Sequence, residues 1–276
     1  MICNILSFVF SFALIPLAIW IQSLVVFMWI GGIVLLFRHF VFIMEQVKRD
    51  AHAEWLWFNI VTNRENERYC LLLRSFSMSS YYTERIPFGL YLALFSPANT
   101  YKQPDKELEW RIVKGFEDVT DMTLVALGKS NGTSGAGKIF SDECNWSDQV
   151  KKMAAKSEII LLIAGDTKGL RWELELIRTE GYLHKTIFIM PPLAGALFKD
   201  HKHQEYSPSK SWGEIHTFLK EEAIKVLPDY NPEGCIVAVL DDRNILTNTI
   251  SPSPSALARS ILEIFPPEML HRSSNT

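Results

Sequence analysis

Hydrophobic positions along this chain form short apolar runs that alternate with amphipathic segments. The runs are rich in Leu, Ile and Val, which is typical of strands buried on both faces of a sheet. The predicted strands are Tyr69–Arg74, Met122–Gly128, Glu158–Ala164, Thr186–Met190 and Cys235–Leu240. Helical periodicity predicts helices over Asp105–Phe116, Trp212–Val226 and Ser255–Phe265. This alternation predicts an α/β fold, in which a parallel sheet has helices on both faces.

The clearest unit of this fold is the strand, loop, helix and strand over Ser157–Pro192. Its first strand ends at a break that can cap a helix, and this break consists of Gly165, Asp166, Thr167 and Lys168. The helix that follows is expected to end near Thr179, before Gly181. Ligands of such sheets bind beyond the carboxyl ends of the strands, so the start of this helix lies at the expected ligand edge.

Two carboxylates on this helix are separated by helical geometry. At about 100° per residue, Leu170, Leu174 and Ile177 form one stripe facing the core. Glu173 lies about 60° from the centre of that stripe, and Glu175 lies about 140° from it. We therefore expect Glu173 at the edge of the core, where desolvation raises a carboxyl pKa. Glu175 should face solvent, with Arg171 and Arg178 as ion-pair partners. A purely structural role for Glu173 at the positive end of the helix is the simpler alternative.

Arg74 and the segment from Gly128 to Lys138 leave their strands at the same edge of the sheet. The planar fork of Arg74 suits a phosphate or carboxylate group, and a surface ion pair is the simpler alternative.

A second motif, Gly132 to Lys138, satisfies the P-loop spacing G-x-x-x-x-G-K. The next residue is Ile139, so the hydroxyl that would bind Mg²⁺ is missing, and no helix pattern begins at the lysine. The sequence therefore favours a flexible Gly/Ser loop, with a P-loop as the alternative.

The N-terminal region has no charged residue or histidine from Met1 to Phe37. One helix of that length would measure about 55 Å, against roughly 30 Å of hydrocarbon. Two spans, about Cys3–Ile21 and Leu24–Ile43, therefore fit better than one, and the features of a cleavable signal peptide are missing.

The domain organisation predicted from these patterns has four parts. Residues 1–44 form a transmembrane helical hairpin, 45–68 a juxtamembrane linker, stalk or membrane-surface segment, 69–270 the α/β domain and 271–276 a disordered tail. Because Arg38, Lys48 and Arg49 follow the second span, the α/β domain should face the cytoplasm from the inner or plasma membrane.

Charge and cysteine content exclude several classes of protein. The formal net charge of −3 argues against a basic surface that binds nucleic acid. The four cysteines show no metal-binding or redox spacing, so no metal site or disulfide is expected.

Several of these segments resemble known families. Gly169-Leu-Arg-Trp-Glu173, after a strand that ends in a small polar loop, resembles the Gly-x-x-x-Glu element of nucleoside 2-deoxyribosyltransferase-like proteins. Trp146 opening a helix, the strand after Ser157 and the segment Trp172-Glu-Leu-Glu-Leu are also similar to TIR domains. The resemblance covers roughly Tyr69 to Pro192 and implies a flavodoxin-like topology.

Both families place a catalytic glutamate on the helix after a central strand and cleave an N-glycosidic bond. The resemblance therefore implies that Glu173 is catalytic and that NAD or a related nucleotide is the substrate, without a separate cofactor. It also implies homo-oligomerisation and a role as a signalling or antiviral defence effector. The residues expected to bind substrate are Arg74, Phe76, Gly128, Lys129, Gly165, Asp166, Thr167 and Trp172. Two other functions remain open: a non-catalytic domain that senses a nucleotide or self-assembles, and a P-loop NTPase.

Overall fold

The computed structural model describes residues 26, 29–34, 37, 40–41, 43–64, 67–74, 104–128, 135–141, 144–164, 168–190, 208–222, 228–239, 245–250 and 253–264. The chain divides into two compact units, Met1–Glu45 and Gln46–Thr276. In the first unit the described residues are helical, and their large apolar side chains are exposed. Within the part of the chain that the structure describes, no helix is both long and apolar enough to cross a membrane. The first predicted span, Cys3–Ile21, lies outside the described residues, and the second is described only in part.

The second unit contains helices and strands that match most of the predicted elements. Residues 46–61 of this unit are helical, and this part of the chain is called α1. The other helices are α2 (Pro104–Val119), α3 (Trp146–Lys156), α4 (Lys168–Thr179), α5 (Pro208–Glu221) and α6 (Pro254–Leu262), and a 3₁₀ turn spans Tyr182–Lys185. The strands are β1 (Tyr69–Leu73), β2 (Thr123–Gly128), β3 (Gly137–Phe140), β4 (Ile159–Ile163), β5 (Thr186–Met190), β6 (Cys235–Val239) and β7 (Ile245–Thr249).

These strands form one seven-stranded sheet in the order β3-β2-β1-β4-β5-β6-β7. Strands β1 to β5 are parallel, which confirms the predicted α/β class with a mostly parallel sheet. Strand β6 is antiparallel to β5, and β7 is antiparallel to β6. The strand predicted at Cys235–Leu240 is present as β6, and no strand was predicted after it, where the short strand β7 lies.

Alternating side chains of the strands enter two separate cores. In β1, Tyr69, Leu71 and Leu73 face one core, and Cys70 and Leu72 face the other. Residues of α1, α3, α4 and α5 belong to the first core, and residues of α2 and α6 belong to the second. The domain therefore has three layers, and its central strands are apolar on both faces because both faces are covered.

Helix α1 belongs to this domain, which corrects the expectation of a separate linker or stalk at residues 45–68. Ala53, Leu56 and Ile60 are fully or almost fully buried in the first core. Burying one apolar face in this way gives the helix most of its stability.

The polar side of α1 covers the free edge of β3. Asp50 accepts a hydrogen bond from the backbone N–H of Lys138 at 2.9 Å, and Glu54 accepts one from Phe140 at 2.5 Å. Four residues of helix rise about 6 Å, which is close to the length of two residues of strand. Side chains on successive turns of α1 can therefore bond every second N–H group of β3. An uncovered edge strand invites pairing with other chains, and these carboxylates occupy that edge.

Candidate functional site

The sheet is built outward from β1 in two directions. Strands β2 and β3 lie on one side of β1, and the chain then returns to form β4 and β5 on the other side. Strand β1 pairs with β2 on one side and with β4 on the other, and all three are parallel. The helices that follow β1 and β4 pack on opposite faces. A crevice opens at such a switch point beyond the carboxyl ends of the strands, and it is the usual ligand site of open α/β sheets. Arg74 follows β1 at this edge, and Ala164 follows β4.

Glu173 lies in the second turn of α4, the helix that follows β4. Its side chain is 3 % exposed, and its neighbours Leu170, Leu174 and Ile177 are buried in the first core. Desolvation raises the pKa of Glu173 to about 8, because burial disfavours the ionised form. The predicted position beside the core stripe is confirmed, and the burial is deeper than an edge position implies.

Glu175 faces the opposite way, as predicted. Its side chain is 57 % exposed and forms an ion pair with Arg178 at 3.3 Å. The other expected partner, Arg171, instead pairs with Glu214 of α5 at 3.1 Å. The helical geometry therefore predicted the exposure of Glu175, but a neighbouring helix supplied the partner of Arg171.

Trp172, which precedes Glu173, packs against another indole. Its ring centroid lies 4.7 Å from that of Trp146, at the first residue of α3, with the planes tilted by 52°. Both side chains are half-buried against the first core. This contact makes Trp146 a hydrophobic anchor that joins the starts of α3 and α4.

Arg74 forms a buried ion pair with Glu109 of α2, and neither side chain is more than 9 % exposed. The second oxygen of Glu109 accepts a hydrogen bond from the backbone N–H of Ala136 at 3.1 Å. The structure therefore shows the alternative of an ion pair for Arg74, but the pair is buried and not on the surface as expected. Glu109 was not recognised in the sequence, because nothing in a helical pattern indicates an ion pair with a residue in a distant strand.

Lys138 lies within β3, and its side chain is 3 % exposed. Desolvation lowers its pKa, and the positive charge of Arg74 lowers it further, whereas Glu109 and Asp50 act in the opposite direction. Both interpretations of this segment were wrong at Gly137 and Lys138. These residues lie in strand β3, so they form neither a flexible loop nor the start of a helix, and the next helix among the described residues begins at Trp146.

The segment before β3 is held from two sides. Gln46 accepts a hydrogen bond from the N–H of Gly135 at 2.9 Å and donates one to the carbonyl of Ala136 at 3.1 Å. Because Glu109 bonds the N–H of Ala136, this segment connects α1 to the ion pair of Arg74. The connection joins residues far apart in the chain and has no local sequence signal.

The remaining predicted site residues are placed only in part. Gly128 is the last residue of β2 and is buried at the carboxyl edge. Phe76, Lys129, Gly165, Asp166 and Thr167 lie outside the described residues. Among the residues that are described, no group of His, Cys, Asp and Glu side chains could hold a metal ion.

A groove of about 540 Å³ runs between α4 and α5 on the other side of α4 from Glu173. Its lining includes Arg171, Glu175, Lys210 and Phe218, and none of the predicted site residues. No protein-family model, curated protein or solved structure matches this chain.

Proposed function

We propose that this protein cleaves the N-glycosidic bond of NAD or a related nucleotide at the crevice between β1 and β4. The observation that carries this proposal is the buried carboxyl group of Glu173 on the helix that directly follows β4. An ionisable group with a strongly shifted pKa beside a ligand crevice is a candidate for catalysis. Glu173 fits because its pKa of about 8 lies near neutral pH, where a change in environment can ionise it.

In the proposed reaction, the bond between ribose C1′ and the nicotinamide nitrogen breaks, and its electron pair leaves with nicotinamide. The ribosyl group becomes an oxocarbenium-like cation, and water adds to C1′ and releases a proton. Glu173 in its ionised form stabilises this cation through its negative charge. The positively charged nicotinamide ring of the substrate favours this form, because an opposite charge nearby lowers a carboxyl pKa.

Arg74 is the group that would contact the phosphates of the nucleotide. A guanidinium has five N–H donors in a rigid fork, so Arg74 can keep its bond to Glu109 and still present N–H groups to a phosphate. Glu109 would then hold Arg74 in position at the end of β1.

The strand order supports a TIR-like topology. Without the short edge strand β3, the order β2-β1-β4-β5 corresponds to the first four positions of the flavodoxin-like order. The fifth position holds the antiparallel strand β6, and β7 extends the sheet. Compared with that order, this chain has an added strand, β3, at one edge of the sheet and a reversed strand, β6, near the other edge.

We also propose that the N-terminal segment attaches the protein to a membrane, with the α/β domain in the cytoplasm and the chain acting as a homo-oligomeric defence or signalling effector. The charge-free stretch from Met1 to Phe37 supports the attachment. A domain that senses a nucleotide without cleaving it would use the same crevice, so binding without turnover would favour that function.

The test is to incubate the full chain, purified in detergent, with NAD and with a panel of nucleosides and to measure released base by chromatography. We expect release of nicotinamide from NAD. Binding of NAD without release of nicotinamide would contradict the enzymatic function and leave the sensing function. Hydrolysis of ATP that depends on Mg²⁺ would instead favour the NTPase.

A further inference from the structure

Helix α1 is apolar on two sides. Its inner side is buried in the core, and a second set of apolar residues faces outward. This outer stripe consists of Val47, Ala51, Trp55, Phe58 and Val61. At about 100° per residue, these positions fall within a sector of about 120°. The four large side chains of the stripe are each about half exposed (Val47 53 %, Trp55 47 %, Phe58 52 % and Val61 51 %). A surface helix normally places polar residues on this side, so the stripe indicates an interaction surface.

A basic side chain lies near each end of the stripe, where the acidic side chains of Glu45 and Glu67 are also exposed. Lys48 is exposed near the beginning of the helix. At the other end, the guanidinium of Arg64 lies 5.3 Å from the ring centre of Phe58. Glu54 shares the outward side, but its carboxylate accepts the hydrogen bond from the N–H of Phe140 and is directed to β3. Aromatic rings with basic residues at the ends of an apolar stripe are typical of helices that lie in a membrane interface.

We propose that the outer stripe of α1 docks on the surface of a lipid bilayer, with Lys48 and Arg64 against anionic headgroups. The position of α1 in the chain supports this partner. Residues 46–61 come shortly after the charge-free stretch that ends at Phe37, and the described residues between 26 and 44 also expose large apolar side chains. This inference rests on the membrane attachment proposed above, and it assigns a second, surface contact to the α/β domain.

The size of the stripe argues for lipid rather than a second copy of the chain. A stable protein interface buries about 800 Å² on each partner. Fully buried aromatic side chains each contribute about 150–250 Å², so four half-exposed apolar side chains supply at most about 500 Å² even if each is counted as aromatic. Lipid binding has no such minimum area, because it adds to an anchor already present in the membrane.

The experiment places an environment-sensitive fluorophore, NBD, at position 58 of the full chain through Phe58→Cys. The matched control carries NBD at position 220 through Lys220→Cys, at an exposed position near the end of α5. Cys3 and Cys144 are replaced by Ser in both proteins, and Cys70 and Cys235 remain because they are buried. Both proteins are reconstituted into vesicles of phosphatidylcholine and phosphatidylglycerol, with and without brominated acyl chains.

We expect NBD at position 58 to be blue-shifted and quenched several-fold more by brominated lipid than NBD at position 220. Additional replacement of Lys48 and Arg64 by Gln should reduce this quenching while the chain stays in the vesicle fraction. Equal quenching at both positions in chains that float with the vesicles would overturn the docking and leave the anchor intact. Failure of the chains to float would contradict the membrane attachment itself. A blue shift without quenching, lost on dilution with unlabelled protein, would assign the stripe to a second copy.

Discussion

Glu173 and Glu175 lie two residues apart on α4, and they occupy opposite environments. Glu173 is 3 % exposed on the helix that follows β4, and Glu175 is 57 % exposed on the outer side of that helix. Helical periodicity alone produces this difference, because two residues rotate the side chain by about 200°. The chain therefore contains a candidate catalytic carboxylate and a matched control on the same helix.

The pH dependence of turnover should follow the ionisation of Glu173. If the ionised form stabilises the ribosyl cation, kcat/KM for NAD should rise with pH and level off above about pH 8, which is the pKa of this group in the protein without substrate. The measurement is a pH profile of nicotinamide release for the parent and for Glu175→Gln, which should have the same profile. A rate that falls as the pH passes 8 would show that the neutral acid is the active form.

Stability should depend on pH through the same group, with a defined sign. Burial raises the pKa of Glu173 from 4.5 to about 8, so the folded protein keeps this proton over a range where the unfolded chain has lost it. Proton binding by Glu173 therefore favours the folded protein fully below pH 4.5, and this contribution to the free energy of unfolding is lost as the pH rises to about 8. At 1.36 kcal/mol per pH unit, the loss is on the order of 3–5 kcal/mol.

Glu173→Gln isolates this effect, because glutamine has nearly the same shape and does not titrate. The difference in free energy of unfolding between Glu173→Gln and the parent should increase in favour of the variant between about pH 5 and about pH 8. Denaturant titrations at both pH values measure it. A difference that does not change with pH would mean that Glu173 is not desolvated in the folded protein.

The ion pair between Arg74 and Glu109 should matter more for stability than pairs on the surface of the same helix. Glu109→Ala leaves Arg74 buried without this partner and removes the acceptor of the Ala136 N–H, so the cost should be about 3–5 kcal/mol. Lys114→Ala removes an exposed pair with Asp118 at 3.0 Å and should cost less than about 1 kcal/mol. Equal unfolding free energies for the two variants would contradict the buried network.

The close packing of α1 on β3 can be tested at Gly137. A Cβ atom there would lie 2.6 Å from the carbonyl oxygen of Arg49 and 3.0 Å from the Cβ of Ala53. Gly137→Ala should therefore destabilise the domain by about 1–3 kcal/mol, the usual cost of overpacking. Gly213 in α5 has nothing within 4 Å of its Cβ position, so Gly213→Ala should stabilise by about 0.5–1 kcal/mol. Thermal unfolding of both variants provides the comparison, and a neutral Gly137→Ala would show that α1 does not press on β3.

Sequence patterns predicted the strands of the sheet centre, because burial on both faces requires continuous apolar runs such as Ile159–Ile163. They did not predict the edge strands. Strand β3 contains Gly137 and Lys138, and β7 reads Ile-Leu-Thr-Asn-Thr, so neither has the apolar run of a central strand. The reversed direction of β6 was also missed, since parallel and antiparallel buried strands have similar composition.

Within the candidate site, periodicity predicted the burial of Glu173 because the information lies within one helix. The partners of Arg74 and of the segment before β3 come from α2 and α1, at separations of 27 to 90 residues. The contacts of Lys185 could not be predicted from the sequence for the same reason. Its ammonium group donates to the carbonyls of Ala154 and Ser157 at the end of α3, and no local pattern indicates these bonds.

The most direct test of the proposed function compares nicotinamide release from NAD by the full-length parent, Glu173→Gln and Glu175→Gln, each checked for folding by circular dichroism. Removing a charge that stabilises a developing cation costs about 3–4 kcal/mol, so Glu173→Gln should lower kcat by a factor of about 10²–10³. Glu175→Gln should stay within a few-fold of the parent, because its carboxylate faces solvent on the outer side of α4. Equal turnover by the two folded variants would contradict a catalytic role for Glu173.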